Sequence, residues 1–309
     1  MDTPAPALPP LFVSHGSPMI ALEPGDAGRF LQRLGQLWRR RYGPPAAILA
    51  VSAHTAARVP VLLAAPRHAA VYDFGDFDPA LFRLRYDAPG APALARALEA
   101  RLRDAGQPVQ RVDDGGLDHG SWTVLRYLFP DADVPVLPLA YVPDAPPAAQ
   151  FALGAALAPL AREGVLVLGS GSITHNLRRV FAQGLHAPAA GRPEVPESAA
   201  FRAWMQARSS ARDWEALFDY RRRAPHALDM HPSDEHLLPW YVAAGAGGRD
   251  AAPQRLHASV THGCLGMDAY AFGPEAAALR AAVDAVDAEA DAAARPAASA
   301  AQGAPAAGA

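Results

Sequence analysis

The sequence predicts an α/β fold: a single domain with a central mixed, largely parallel sheet flanked by helices. Three observations predict it. Short runs rich in Val, Leu, Ile and Ala recur without polar alternation, as expected of strands covered on both faces. Helix-period segments lie between them, and strands alternating with helices build parallel or mixed sheets. No internal repeat is evident, and 309 residues can bury a substantial core.

The first strand is placed at 10–14, after an N-terminal extension of residues 1–9 with an early acid, no basic region and no apolar signal core. A helix follows at about 26–39, started by Gly25-Asp26. Leu34, Leu37 and Trp38 take one side of it, and the arginines of the 33–43 run form a solvated face rather than a nucleic-acid patch. Strands at 46–52 and 59–64 come next, then helices at about 91–104 and 120–128, the second opened by Asp118-His119-Gly120. Strands at 134–140 and 164–169 bracket a helix at 147–162. Helical patterns follow at about 197–221 and 234–244, with Ser233 as N-cap of the latter and His236 in its first turn. Phe201, Trp204, Trp214 and Phe218 of the longer stretch belong either to the core or to a homo-oligomer interface. The segment 257–273 alternates enough for a late strand or hairpin. The domain so defined spans 10–275. The stretch 287–309 is Ala/Pro/Gly-rich, cannot build a packed core and reads as a disordered tail.

Composition narrows the function classes. The formal net charge is −3, every basic residue is an arginine, and no basic block stands out. No apolar run reaches the roughly 18 residues of a membrane span. A single cysteine, Cys264, excludes an intramolecular disulfide framework and a cysteine zinc site. These features predict a soluble cytoplasmic protein with a small-molecule partner, and neither nucleic acid nor membrane.

The chemistry is carried by histidines, of which there are eleven. His15 and His54 each follow a strand-like run, which places both at the C-terminal edge of the sheet, where open α/β sheets bind ligands. His175 follows a third such run through "GSGS", whose glycines let the backbone bend back over that edge. "HPSDEHLLPW" (231–240) adds His231, Asp234, Glu235 and His236, and "GGLDHGSW" (115–122) adds His119. His68, His186, His226, His257 and His262 have no comparable setting and read as exposed or structural. Each histidine alone is explained as well by a loop or a satisfied core position; the shared strand-then-His pattern favours a metal, since imidazole suits first-row divalent ions. A Ser-His hydrolytic arrangement would use Ser17 or Ser170, and neither sits in a Gly-x-Ser-x-Gly elbow. "GSGSITH" is likewise too incomplete for a nucleotide fingerprint.

The motifs "SHGSPM", "SAHT", "YDFGDFDPALFRLRYDAPG", "LDHGSWTVLRYLFPDADVPV", "GSGSITHNLR" and "HPSDEHLLPWYVAAGA" occur in the order seen in the class III extradiol ring-cleavage dioxygenases. Over about residues 10–273 the chain resembles their DOPA 4,5-dioxygenase branch, in the LigB-like superfamily. The resemblance implies an α/β sandwich and a metal held by His15, His54 and His236. His175 is associated with the same site, and His175 or His119 serves as acid/base. Glu235 competes with His236 as third ligand, because related branches use a glutamate there. The chain has Thr55 where this branch commonly has a tryptophan, Tyr72 where a histidine is expected, and His231 as an additional histidine.

The implied reaction inserts both atoms of O2 into a catechol, such as a DOPA-like one, beside its diol. Fe(II) is the metal for activity, and Zn(II) is the ion expected on purified protein, because affinity favours it. Two other readings use the same residues. One is a zinc hydrolase activating water; the other is a non-catalytic interaction protein on this fold.

Overall fold

The computed structural model describes residues 7–183 and 191–294. Its strands are β1 (Leu11–Ser14), β2 (Ala47–Ser52), β3 (Val61–Leu63), β4 (Arg67–His68), β5 (Ala88–Pro89), β6 (Gln110–Val112), β7 (Val136–Ala140), β8 (Val165–Gly171), β9 (Gln254–His257), β10 (Val260–Thr261), β11 (Leu265–Gly266) and β12 (Ala269–Ala271). Its α-helices are α1 (Gly25–Tyr42), α2 (Pro92–Asp104), α3 (His119–Leu128), α4 (Pro147–Leu157), α5 (Leu177–Phe181), α6 (Pro196–Ser210), α7 (Trp214–Phe218), α8 (Tyr220–Arg223), α9 (Ala227–Met230), α10 (Leu238–Gly247) and α11 (Ala276–Ala294).

Eight strands form one sheet in the order β6-β3-β7-β2-β8-β1-β12-β9, while β4/β5 and β10/β11 pair separately. The centre, β7-β2-β8-β1, is parallel. Antiparallel β3 on one side and β12 and β9 on the other make the sheet mixed. All six residues of β2 are buried, so it reads as an uninterrupted apolar run. Ile48 and Ala50 pack in the layer of α1, α3 and α11, with Phe30, Trp122 and Leu279; Leu49 and Val51 pack in the opposite layer, with Phe151 of α4 and Trp240 of α10. Burying a side chain of this size contributes about 1.5–3 kcal/mol, and both faces of the strand collect it.

Because β8 lies between β1 and β2 in parallel register, the chain leaves all three strands at the same edge. His15 follows β1 directly, its N–H donating to Gly171 C=O at 3.0 Å. β8 itself runs to Gly171, two residues past the expected end, so "GSG" is strand rather than turn. A Cβ at Gly171 would meet the His236 carbonyl oxygen at 2.1 Å, so this glycine lets the 231–237 segment close onto the strand.

Three further expectations change. The helix placed at 234–244 begins at Leu238, with Pro239 in its first turn, where a missing N–H is harmless. Ser233 is exposed and is not its cap, and His236 lies in the turn before it, its C=O taken by Ser172 N–H at 2.8 Å. The stretch 197–221 divides into α6, α7 and α8, broken at Arg212 (φ 57°) and restarted by Asp213, which accepts from Ala216 N–H. Phe201 and Trp214 are core residues, with Trp204 and Phe218 packed against them. At the end of the chain α11 runs to Ala294, so residues 287–294 are helical rather than tail. The rest of the tail (295–309), residues 1–6 of the extension and His186 lie outside the described residues. Among those described, no helix is long and apolar enough to cross a membrane.

Candidate metal centre

Five histidines gather at the edge where β1, β2 and β8 end. The ring centroids of His15, His54 and His236 stand 5.0, 5.3 and 4.9 Å apart, close to an equilateral triangle. His119 lies 4.0 Å from His54, and His175 stacks flat on His236 at 3.4 Å and 11°. Donor atoms of His15, His54 and His119 lie within 4.8 Å of one another, as do those of His175, Glu235 and His236. His15, His54, His119, His175, Glu235 and His236 are therefore brought together. His15, His119 and His236 are buried, and His54 is the exposed member.

The neighbours decide which ring nitrogens are free. Ser170 Oγ donates its one proton to the Gly120 carbonyl at 2.6 Å, so it can only accept from His15 Nδ1, 3.0 Å away. His15 Nε2 then carries a bare lone pair, and it stands 3.0 Å from His54 Nε2. Two nitrogens about 2.1 Å from one ion and at right angles to each other are about 3.0 Å apart, so this spacing fits a shared ion. His236 Nδ1–H donates to Glu235 Oε1 at 3.1 Å, which again leaves Nε2 free. A carboxylate behind a ligating imidazole is a recurrent support for metal sites. Asp73 Oδ1 accepts the His119 backbone N–H at 2.9 Å and lies 3.0 Å from His119 Nδ1, a close pair without hydrogen-bond alignment.

The electrostatics keep His15, His175 and His236 neutral. Burial first, and then the neighbouring histidines, hold His15 and His236 well below the ordinary imidazole range. Burial pushes His175 down to about 4. A neutral imidazole is the form that binds a metal. Burial raises Asp73, but its closeness to the His119 ring and the backbone N–H bond from His119 outweigh that and leave it below the usual carboxylate range.

Several supporting residues were not assigned from the sequence. Asp118 caps α3 by accepting from Ser121 N–H at 2.9 Å. It also accepts from Ser52 Oγ at 2.7 Å and from Thr55 Oγ1, tying the His54 loop to the helix that carries His119. Ser17 caps a short 3-10 turn and Ser170 holds His15, so neither serine is poised as a nucleophile. His231 is fully buried outside the cluster, bonded through Nε2 to Ile173 O at 2.8 Å. His257 stacks on Phe30, and His68 is buried away from the site beside Gly115.

A family model for the catalytic LigB subunit of aromatic ring-opening dioxygenase matches residues 10–273. The 4,5-DOPA dioxygenase extradiol of Beta vulgaris is 34% identical over 84% of this chain and 95% of its own length. Its namesake in Portulaca grandiflora is 35% identical over 84% and 94%. The Escherichia coli K12 protein of that name is 35% identical over 77% and 85%. The crystal structure of an uncharacterized protein from Escherichia coli K12 superposes with a TM-score of 0.70 at 31% identity, covering 86% of this chain and all of that one.

Proposed function

Since the chain belongs to the LigB family of aromatic ring-opening dioxygenases, we propose that it is a metal-dependent extradiol dioxygenase acting on a catechol, with the DOPA-like catechols named for its relatives as first candidates. The observation that carries this reading is the convergence of His15, His54 and His236, with the Nδ1 atoms of His15 and His236 engaged from behind. These three are the metal ligands, and Glu235 orients His236. The working metal is Fe(II), which supplies the redox chemistry that joins a catechol to O2; Zn(II) binds more tightly but has no redox chemistry.

The chain's own contribution is positioning and proton transfer. His175, neutral at pH 7, takes the proton of a catechol hydroxyl at a ring nitrogen. The imidazolium formed in a setting that disfavours charge returns that proton readily when the opened ring requires it. His119, whose backbone N–H donates to Asp73 and whose ring lies 4.0 Å from that of His54, is the second acid/base group. The buried setting of His15 and His236 limits water at the centre.

Protein loaded anaerobically with Fe(II) and then given O2 and a catechol should consume O2 and develop the yellow colour of a ring-opened product. The His15→Ala variant and the zinc-loaded protein should do neither. Bound iron without O2 uptake would overturn the proposal and favour hydrolysis, which consumes none.

A further inference from the structure

The aromatic residues between 72 and 82 form a file that begins at the histidine cluster and ends in solvent. Phe74 meets the His119 ring edge-on, with centroids 5.7 Å apart. Phe77 and Phe82 pack against Phe74 at 5.6 and 5.3 Å, and Tyr72 joins at 5.7 Å from Phe82 and 6.2 Å from Trp122. The inner end is fixed to the site, because Trp122 Nε1 donates to Val71 O at 3.1 Å and so ties this segment to α3. The outer end is bare: Phe77 and Phe82 are 38% and 40% exposed. Single exposed apolar side chains are ordinary, but two phenylalanines packed on the same Phe74 ring, continuous with the histidine cluster, suit a surface that a ligand covers.

Resting on the ring-opening reading above, we propose that this wall binds an apolar, aryl-sized substituent of the catechol, so that the protein prefers aryl-substituted catechols to small ones. A catechol held at the histidines must project its substituents away from the buried sheet edge, and Phe74, Phe77 and Phe82 run from the His119 ring to the surface. Aromatic rings attract one another in edge-to-face or offset arrangements at centroid distances of about 4.5–7 Å. The existing contacts fall in that range, so one further ring on the exposed faces of Phe77 and Phe82 continues the same packing.

Binding tests this without turnover. Zinc-loaded protein is titrated calorimetrically under argon with 4-phenylcatechol and with 4-methylcatechol. The aryl compound should bind roughly tenfold more tightly, the discrimination a hydrophobic pocket gives for a group of this kind. Phe77→Ala and Phe82→Ala should each reduce that advantage roughly 3- to 10-fold while leaving methylcatechol binding within about twofold. In iron-loaded protein the same ranking should appear in kcat/KM, carried by KM. Equal affinity for the two compounds, or variants that weaken both alike, overturns the proposal. So does a Phe77→Ala variant that changes only the oligomeric mass, which assigns the wall to a second copy of the chain. Iron-loaded protein that consumes no O2 with either catechol counts against ring opening instead, and the binding ratio still decides the wall.

Discussion

At His15 the tautomer is set by Ser170, whose hydroxyl proton is committed to Gly120 C=O and whose oxygen therefore accepts from Nδ1–H. Ser170→Ala should therefore lower metal affinity roughly 10- to 100-fold, as loss of an orienting partner does, measured by chelator competition. Unchanged affinity would mean that the ring is held by packing alone. Glu235 and His236 separate in the same assay. Glu235→Gln keeps an acceptor for His236 Nδ1–H and should retain most of the affinity, whereas His236→Ala should lose the ion. The opposite ranking would make Glu235 the third ligand.

The first turn of α3 acts as a jig for the cluster. It carries His119, its Asp118 carboxylate holds Ser52 and Thr55 of the His54 loop, and its Gly120 carbonyl fixes Ser170 behind His15. A Cβ at Gly120 would meet Ser52 Oγ at 2.6 Å and the His15 ring at 3.0 Å. Asp118→Ala removes the helix cap on Ser121 N–H, which costs about 1 kcal/mol, and leaves the Ser52 hydroxyl without its buried acceptor, for a further cost of about 1–3 kcal/mol. It should lower both Tm and metal affinity, and Asp118→Asn, which keeps one acceptor oxygen, should do less of both. A Tm loss with unaltered metal affinity would reduce Asp118 to a helix cap.

At this scale much was legible in the sequence. His15 and His54 could be placed because β1 and β2 are buried on both faces and read as apolar runs that stop where the chain leaves the sheet. The start of α3 was visible in Asp118, whose residue type suits a cap. His236 was singled out but its setting was not legible, because it lies in an irregular turn fixed by Ser172 and Gly171, partners 60 or more residues away in sequence. The clamps by Ser170 and Ser52 depend on how β8 registers against β1 and β2, which no local pattern encodes. The edge strand β6 is largely solvent-facing and polar, so nothing distinguished it from a loop.

For the whole molecule, neutral buried histidines make stability depend on pH. Burial brings His175 and His231 to about 4 from an ordinary 6.5, and holds His15 and His236 well below it. Between about pH 4 and 6.5 the unfolded chain binds more protons than the folded one, so stability rises with pH there. It is fully present above about 6.5 and is lost as pH falls through 4. The Tm of metal-free protein should decline steadily across that window. A bound ion should raise Tm at neutral pH and steepen the decline, because protons compete for the same nitrogens. A Tm that stays flat from pH 6.5 to 4 would contradict this electrostatic picture.

The central claim is that this histidine cluster directs both atoms of O2 into a catechol ring. Isotope-labelled dioxygen tests it most directly, using Fe(II)-loaded protein and rapid borohydride trapping of the aldehyde before its oxygen exchanges with water. The account predicts a ring-opened product carrying two labelled oxygen atoms, absent with His15→Ala. An intact quinone, or a product labelled only from water, would contradict it.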